Sequence, residues 1–190
     1  MILTPANEYS VVLDASVLVP MPLCDLLLRL AEEPAFYRPL WSDQILQEVG
    51  NTLEELGYSE FQRARRLKFM HDHFPEALLG VPAELASAVL SIPDEGDRHV
   101  VAAAIRGKAD AIPTLNLRDF PQECLNQHGI TVASPDEFLI DQFHLNPEGM
   151  LDKIDAQATA IGNDRSQITA RLRNWLQAPK FADLIDSRTN

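Results

Sequence analysis

A run of three apolar residues that ends abruptly in an acid most limits how this chain can fold. Val11-Val12-Leu13 is wholly apolar and mostly β-branched, and Asp14 follows it directly. A strand with one face in water alternates apolar and polar residues, whereas a strand covered on both faces is continuously apolar. The run therefore predicts a buried strand of a parallel sheet.

The rest of the chain alternates helical patterns with two further short strands. Ser42 is a suitable N-cap for a helix over 43–56, and Gly57 provides its stop. Pro113 is unusual in a central strand because it removes a ladder donor. The other predicted helices are a segment that ends at Leu30 and residues 59–70, 82–90, 98–107 and 135–143, and the other predicted strands are 109–115 and 130–132. This order predicts an α/β fold, a three-layer α/β/α sandwich with a parallel sheet.

The composition excludes several classes of protein. Of 190 residues, 46% are hydrophobic and 23% charged, which is atypical of a disordered or fibrous chain. No apolar run approaches the roughly 18–20 residues that span a bilayer, and the first residues lack the features of a signal peptide. We therefore expect a cytoplasmic protein with no membrane segment. The net charge of -12 disfavours non-specific coating of nucleic acid, but it is compatible with a nuclease whose metal site needs acids.

The charge divides the chain into two parts. Residues 1–150 carry 23 acids and 10 bases, whereas residues 151–190 carry 5 acids and 6 bases. Pro147 and Gly149 interrupt regular structure between the two parts. We expect one domain over 1–146 and a C-terminal helical extension over 147–190.

The extension carries apolar residues at heptad spacing, with Ile154, Ile161, Ile168 and Trp175 as one series. Residues 162–164 interrupt the series, which predicts two short helices in a hairpin. The hairpin either folds onto its own domain or forms a dimer or partner surface. In the second case Trp175 and Phe181 would be its anchors.

Four acids stand near the places where open parallel sheets carry their active sites. Asp14 closes the first strand, and Asp119 lies shortly beyond the strand over 109–115. Asp97 begins a helix, whose dipole favours an anion there. Glu48 lies beside the apolar stripe of the helix over 43–56. Their joint placement predicts a cluster of carboxylates at one sheet edge.

Three of these acids also have a purely structural explanation. In this explanation Asp97 forms a capping-box-like pair with Asp94, and Asp119 caps the short turn before Pro121. Glu48 alone is most often a solvated helix residue. Asp14 is the hardest to explain structurally, because an apolar strand has little need of a charge at its end.

The segments around these acids resemble the motifs of the PIN domain family. Residues 11–18 resemble its opening strand and turn, residues 97–104 its third acidic motif, and residues 114–120 its fourth. Glu48, within residues 45–49, matches the helix-borne second acid. The resemblance extends over about residues 10–140. One departure is Pro113, where an apolar β-branched residue is usual.

The resemblance implies an Mg²⁺- or Mn²⁺-dependent endoribonuclease, often the toxin of a bacterial toxin–antitoxin pair of the VapC kind. It implies that Asp14, Asp97 and Asp119 are direct or water-mediated metal ligands. Glu48 would be an outer ligand or the general base for the attacking water. Residues that would orient ligands or waters from outside are Ser16, Thr114 and Asn116. We expect His99, which follows Asp97 in the motif, to pack or to hydrogen-bond locally.

The expected partners are an RNA substrate, a cognate antitoxin protein and a second copy of the chain. Arg98 and Arg118 adjoin the expected ligands and are candidates for contacts to substrate phosphate. A weaker set of candidates on the helix over 59–70 is Arg63, Arg65, Arg66 and Lys68, for which a solvated helix face is the alternative. The alternative function is a PIN-fold module that binds RNA or a protein partner without cleaving it.

Overall fold

The computed structural model describes residues 9–89, 92–174 and 177–189 of the chain. Trp175, proposed above as an anchor, and Leu90, the end of one predicted helix, lie outside these ranges. Within the described residues, no helix is both long enough and apolar enough to cross a bilayer.

A parallel sheet forms the centre of the fold. Its strands are β1 (Ser10–Val12), β2 (Arg38–Ser42), β3 (Leu78–Leu79), β4 (Ala111–Pro113) and β5 (Thr131–Ala133), in the order β3-β2-β1-β4-β5. Val11 lies between Pro39 on one side and Ala111 on the other, so β1 is the central strand. Val11 and its neighbour Val12 are completely buried. The predicted α/β fold with a buried first strand is therefore confirmed.

Helices follow the strands on both sides of the sheet. Their bounds are α1 Ala15–Leu18, α2 Leu23–Ala31, α3 Asp43–Glu55, α4 Glu60–His73, α5 Ala83–Ala88, α6 Arg98–Gly107, α7 Gln122–Leu125, α8 Pro135–Leu145, α9 Pro147–Ala160, α10 Arg165–Asn174 and α11 Pro179–Thr189. Ser42 caps α3 as predicted, because its Oγ accepts the N–H of Ile45 at 3.2 Å. Gly57 follows that helix with φ +84°, a conformation that costs a residue with a Cβ more than it costs glycine.

Several parts of the order were not predicted. They include the two-residue strand β3 and the single-turn helix α7, which are too short to show a pattern, and a third helix in the extension, where a hairpin of two was expected. The expected helix up to Leu30 is divided into α1 and α2 around Pro20 and Pro22, which lack the N–H that a continuous helix needs. Strand β2 was not predicted either, because Pro39 within the run argues against a strand. Pro113 is accommodated as the last residue of β4, opposite Ala133.

The helices α9, α10 and α11 pack against the rest of the chain, chiefly against α2 and α8. Two buried side-chain amides join them to the turn before α2. Gln157 Nε2 donates to the carbonyl of Pro22 at 2.9 Å, and the N–H of Leu23 donates to Gln177 Oε1 at 3.2 Å. The extension thus folds onto its own chain.

Phe181 is completely buried within α11 and its neighbours. Of the two alternatives for the extension, packing onto its own domain therefore accounts for Phe181, and the alternative in which Phe181 anchors a partner is wrong, because its side chain is used within the chain. Asn146 caps α9 by accepting the N–H of Gly149 at 3.0 Å. The division of the chain into two domains at this point stays a prediction.

Candidate active site at the carboxyl ends of β1 and β4

The order of the strands reverses next to Asp14. The chain leaves β1 toward β2 on one side, and β4 later takes the place on the other side. Such a reversal of strand order opens a crevice at the carboxyl ends of the two strands, where open sheets bind ligands. Asp14 follows β1 and Thr114 follows β4, so both stand at this point.

The carboxylate of Asp14 is held by two hydroxyl groups. Its Oδ2 accepts hydrogen bonds from Ser16 Oγ at 2.5 Å and from Thr114 Oγ1 at 2.7 Å. Each hydroxyl in turn accepts a backbone N–H at 3.0 Å, Ser16 that of Leu115 and Thr114 that of Asn116. The backbone donors leave each hydroxyl hydrogen directed at Asp14. The network therefore fixes the side chain of Asp14, which is only 5% exposed, as an acceptor.

Two of the three expected outer residues thus contact Asp14. Ser16 and Thr114 bind its carboxylate directly, while the side chain of Asn116 is exposed to solvent. Asn116 contributes through its backbone instead, since its carbonyl accepts the N–H of Asp119 at 2.9 Å. This bond closes the short turn that carries Asp119 from β4 toward Asp14.

Asp97 precedes α6 but does not cap it with its side chain. The structural alternative, a cap formed with Asp94, is therefore wrong; Asp94 Oδ1 accepts the N–H of Gly96 instead. The pKa of the Asp97 carboxyl is raised to about 6, chiefly by burial and then by the charges of Asp119, Asp94, Asp14 and Glu48 in that order. The shift shows that the carboxylates predicted to cluster act on one another.

Glu48 reaches the site from α3 and meets a residue that we expected to bond only locally. His99 lies in the first turn of α6 and is 4% exposed. Its Nδ1 lies 2.6 Å from the carbonyl oxygen of Gly96, and its Nε2 lies 3.2 Å from Glu48 Oε2. The second pair is at ion-pair distance without the alignment of a hydrogen bond. Burial lowers the pKa of His99, but Glu48 and Gly96 outweigh it, so that the pKa is raised.

A cavity of about 350 Å³ adjoins this pair. It lies between α3, β3 and α5, and the His99 ring forms part of its wall. Ser42, Gln44 and Gln47 supply polar groups along the α3 side. The Glu48 end of the acid cluster is thus next to a space that solvent or a ligand can enter.

The donor set fits a hard divalent cation. Carboxylate oxygens are the ligands that Mg²⁺ and Mn²⁺ prefer, and a cation would relieve the repulsion that raises the pKa of Asp97. Within residues 9–89, 92–174 and 177–189, no three His, Cys, Asp or Glu side chains already form a group that could hold a metal ion. The acids have the right chemistry, and their side chains would have to turn inward to bind one ion together.

Most of the basic side chains proposed for RNA are engaged within the chain. Arg98 donates to the carbonyl of Ile92 and to Glu95, both at 3.2 Å. Arg118 is exposed in the turn before Asp119. It is therefore the better candidate of these two for a substrate phosphate.

On α4, the contacts favour a structural explanation. Arg63 binds Glu54 through both terminal nitrogens, at 3.0 and 3.1 Å. Arg66 donates to the carbonyl of Val19 at 2.8 Å, and Lys68 forms a 2.6 Å ion pair with Asp72. Arg65 is exposed and is the one to test as an RNA contact.

Comparisons with known proteins agree with the resemblance seen in the sequence. The sequence profile of the PIN domain family matches residues 10–118. A protein of Mycobacterium tuberculosis named "Putative ribonuclease VapC50" is 40% identical to the matched part, which covers 40% of this chain and 54% of that relative. The chain therefore spans about half the length of this curated relative. No solved structure matches the chain.

Proposed function

The chain belongs to the PIN domain family, and from this we propose that it is a metal-dependent endoribonuclease that cleaves RNA phosphodiester bonds. The observation that carries the proposal is the Asp14 carboxylate. It is buried at the switch point of the sheet, held by Ser16 and Thr114, and coupled to the charge of Asp97. A structural role alone does not account for so costly a buried charge.

The proposed ligands of Mg²⁺ or Mn²⁺ are Asp14, Asp97 and Asp119, with Glu48 at the outside of the site. The bound ion would supply an activated water and a counter-charge for the phosphate. The chain's own residues do the positioning. Asp14 is oriented by two hydroxyls, and Glu48, whose charge acts on Asp97, would accept a proton from the attacking water.

We further propose that the protein is the toxin of a type II toxin–antitoxin pair. The name of the M. tuberculosis relative supports this, together with the presence of all four acids. The expected partners are the RNA substrate and a cognate antitoxin, and a homodimer stays a prediction. A small reading frame for a DNA-binding protein next to this gene, whose product co-purifies with the chain, would support the pairing.

Metal-dependent cleavage of RNA tests the enzymatic proposal. Purified protein is incubated with end-labelled RNAs in Mg²⁺, in Mn²⁺ and in EDTA, beside the variants Asp14→Asn and Glu55→Gln. Glu55 is an exposed acid on the same helix as Glu48 and serves as the matched control. We expect cleavage by wild type and Glu55→Gln with metal only, and a loss of at least 100-fold in Asp14→Asn.

Equal cleavage by Asp14→Asn would point to a contaminating nuclease and contradict the proposal. Binding of RNA by wild type without cleavage in either metal would favour the alternative, a PIN-fold binding module.

A further inference from the structure

We propose that His99 is a positioning residue that fixes the carboxylate of Glu48 within the acid cluster. The proposal rests on the proposed function, since it concerns the same site. His99 lies two residues after Asp97 on α6, while Glu48 comes from α3. The ring therefore joins the two helices that bring separate acids to the site.

The geometry gives each ring nitrogen one role. Nδ1 faces the carbonyl of Gly96 at 2.6 Å, and because a carbonyl only accepts, this nitrogen carries a proton. The bond fixes the plane of the ring, as a second contact does for many histidines near metal centres. Nε2 is thereby aimed at Glu48 Oε2, 3.2 Å away, and a donor contact to this carboxylate requires that Nε2 also carries a proton.

The side chain of Glu48 needs such a partner. It is long, it has three rotatable bonds, and 38% of it is exposed to solvent. An unrestrained glutamate of this kind populates several rotamers, and ordering it has an entropic cost. Contact with a buried ring restricts it to those rotamers that keep Oε2 near His99 and leave the second oxygen free.

A purely structural role for His99 makes a different arrangement natural. A buried ring that served only to link Gly96 to the core would need no acid at Nε2, since any neutral polar partner would satisfy that nitrogen. Within the described residues Nε2 has no hydrogen-bond partner, and Glu48 is its one charged contact. The Nε2–Glu48 contact is thus an ion-pair contact without hydrogen-bond alignment, and Glu48 is the group that it restrains.

Three substitutions separate the two contacts. His99→Gln places an amide N–H near the position of Nε2 and keeps a donor toward Glu48. His99→Asn keeps a donor near the position of Nδ1, toward Gly96, but does not reach Glu48. His99→Phe keeps most of the ring volume and has neither donor.

The readouts are the Mn²⁺ dissociation constant of metal-stripped protein by calorimetry, kcat and KM for one labelled RNA, and urea unfolding. In His99→Asn and His99→Phe we expect Mn²⁺ binding about 10-fold weaker and kcat at least 10-fold lower, with KM unchanged. His99→Gln should stay within about 3-fold of wild type. In a Glu48→Gln background, His99→Asn should have no further effect, because the residue through which it acts is already changed.

A different pattern would overturn the proposal. A loss in His99→Gln with near-normal values in His99→Asn would mean that the Gly96 bond alone matters, and equal losses in the two variants would mean that the contact with Glu48 is not what counts. Undiminished loss in the Glu48→Gln background would mean that His99 acts independently of Glu48. If wild type binds Mn²⁺ but cleaves no RNA, the proposed function fails while the Mn²⁺ affinities still decide the role of His99; if wild type binds no Mn²⁺, both fail.

Discussion

Removing one charge from the acid cluster should make the metal-free protein more stable. The change is Asp97→Asn, which keeps the shape of the side chain and removes its charge. Partial burial, and after it the charges of four neighbouring acids, raise the pKa of Asp97 to about 6, from an ordinary value of 3.8. The ionised carboxylate of Asp97 therefore lowers the stability of the folded state relative to the unfolded chain, and replacement by Asn removes this destabilisation.

The size of the effect follows from the shift of about two pKa units. At about 1.36 kcal/mol per unit, the upper limit is about 3 kcal/mol. Because the carboxyl is partly open to water, screening reduces this, and we expect a gain of about 1–2 kcal/mol at pH 7.5. Below about pH 4 the carboxyl is protonated in both states, so the variant and wild type should be equally stable. The difference should grow as the pH rises from about 4 to 6 and then stay constant.

Urea unfolding in EDTA at pH 3.5, 5, 6 and 7.5 measures this difference, with Glu55→Gln as a control that should stay within about 0.5 kcal/mol of wild type. Adding Mn²⁺ should reverse the order at pH 7.5, because wild type keeps a ligand that the variant lacks. A variant that is no more stable than wild type at pH 7.5 without metal would refute the mutual repulsion of these acids. A pH-independent gain would refute its link to titration.

Other outcomes follow from single contacts. Mg²⁺ or Mn²⁺ should raise the thermal midpoint of wild type, and Asp14→Asn should lose most of that increment; an equal increment in both would contradict the site. Thr114→Val should lower the free energy of unfolding by about 1–3 kcal/mol in urea and reduce cleavage, with Thr114→Ser close to wild type, since Val removes one of the two donors to Asp14 and leaves the N–H of Asn116 without its partner. Arg65→Ala should weaken RNA binding and flatten its salt dependence without lowering stability, and an unchanged salt slope would assign Arg65 to the solvated face. Phe181→Ala should cost about 3–5 kcal/mol in urea, and a loss below 1 kcal/mol would contradict its burial.

Local signals were sufficient for the central strand and for the helix that carries Glu48. The run at 11–13 is continuously apolar because neighbouring strands and helices cover β1 on all sides. Ser42 and Gly57 carry the start and stop signals of α3 within their own side chains and backbone. Such features depend on neighbours in sequence and can be recognised there.

Strand β2 had no local signal of that kind. Pro39 breaks the pattern, and the strand exists because Leu40 and Trp41 are buried by pairing with distant segments. Arg66 is a similar case. Its position on a basic helix suggested a contact to RNA, but it donates to the carbonyls at the end of α1. A hydrogen bond to a residue remote in sequence cannot be recognised from the residue pattern of the helix that forms it.

The candidate site likewise contains residues that the sequence identifies and a contact that it does not. Asp14, Asp97 and Asp119 were identifiable because strand ends and helix starts are visible in the sequence. The contact of His99 with Glu48 was not, since it depends on how α3 and α6 pack against one another. The role of all these acids as metal ligands stays a prediction.

The hydrogen bonds that the side-chain amides of the C-terminal extension form with the turn before α2 have a consequence for hydrogen exchange. The N–H of Leu23 donates to Gln177, 154 positions later in the chain, and lies at the beginning of a helix, where backbone N–H groups have no partner within the helix. Its exchange with deuterium therefore requires release of the segment around Gln177 and not only fraying of α2. Leu23 should exchange as slowly as residues in the middle of that helix, and its protection factor reports directly on detachment of the final helices.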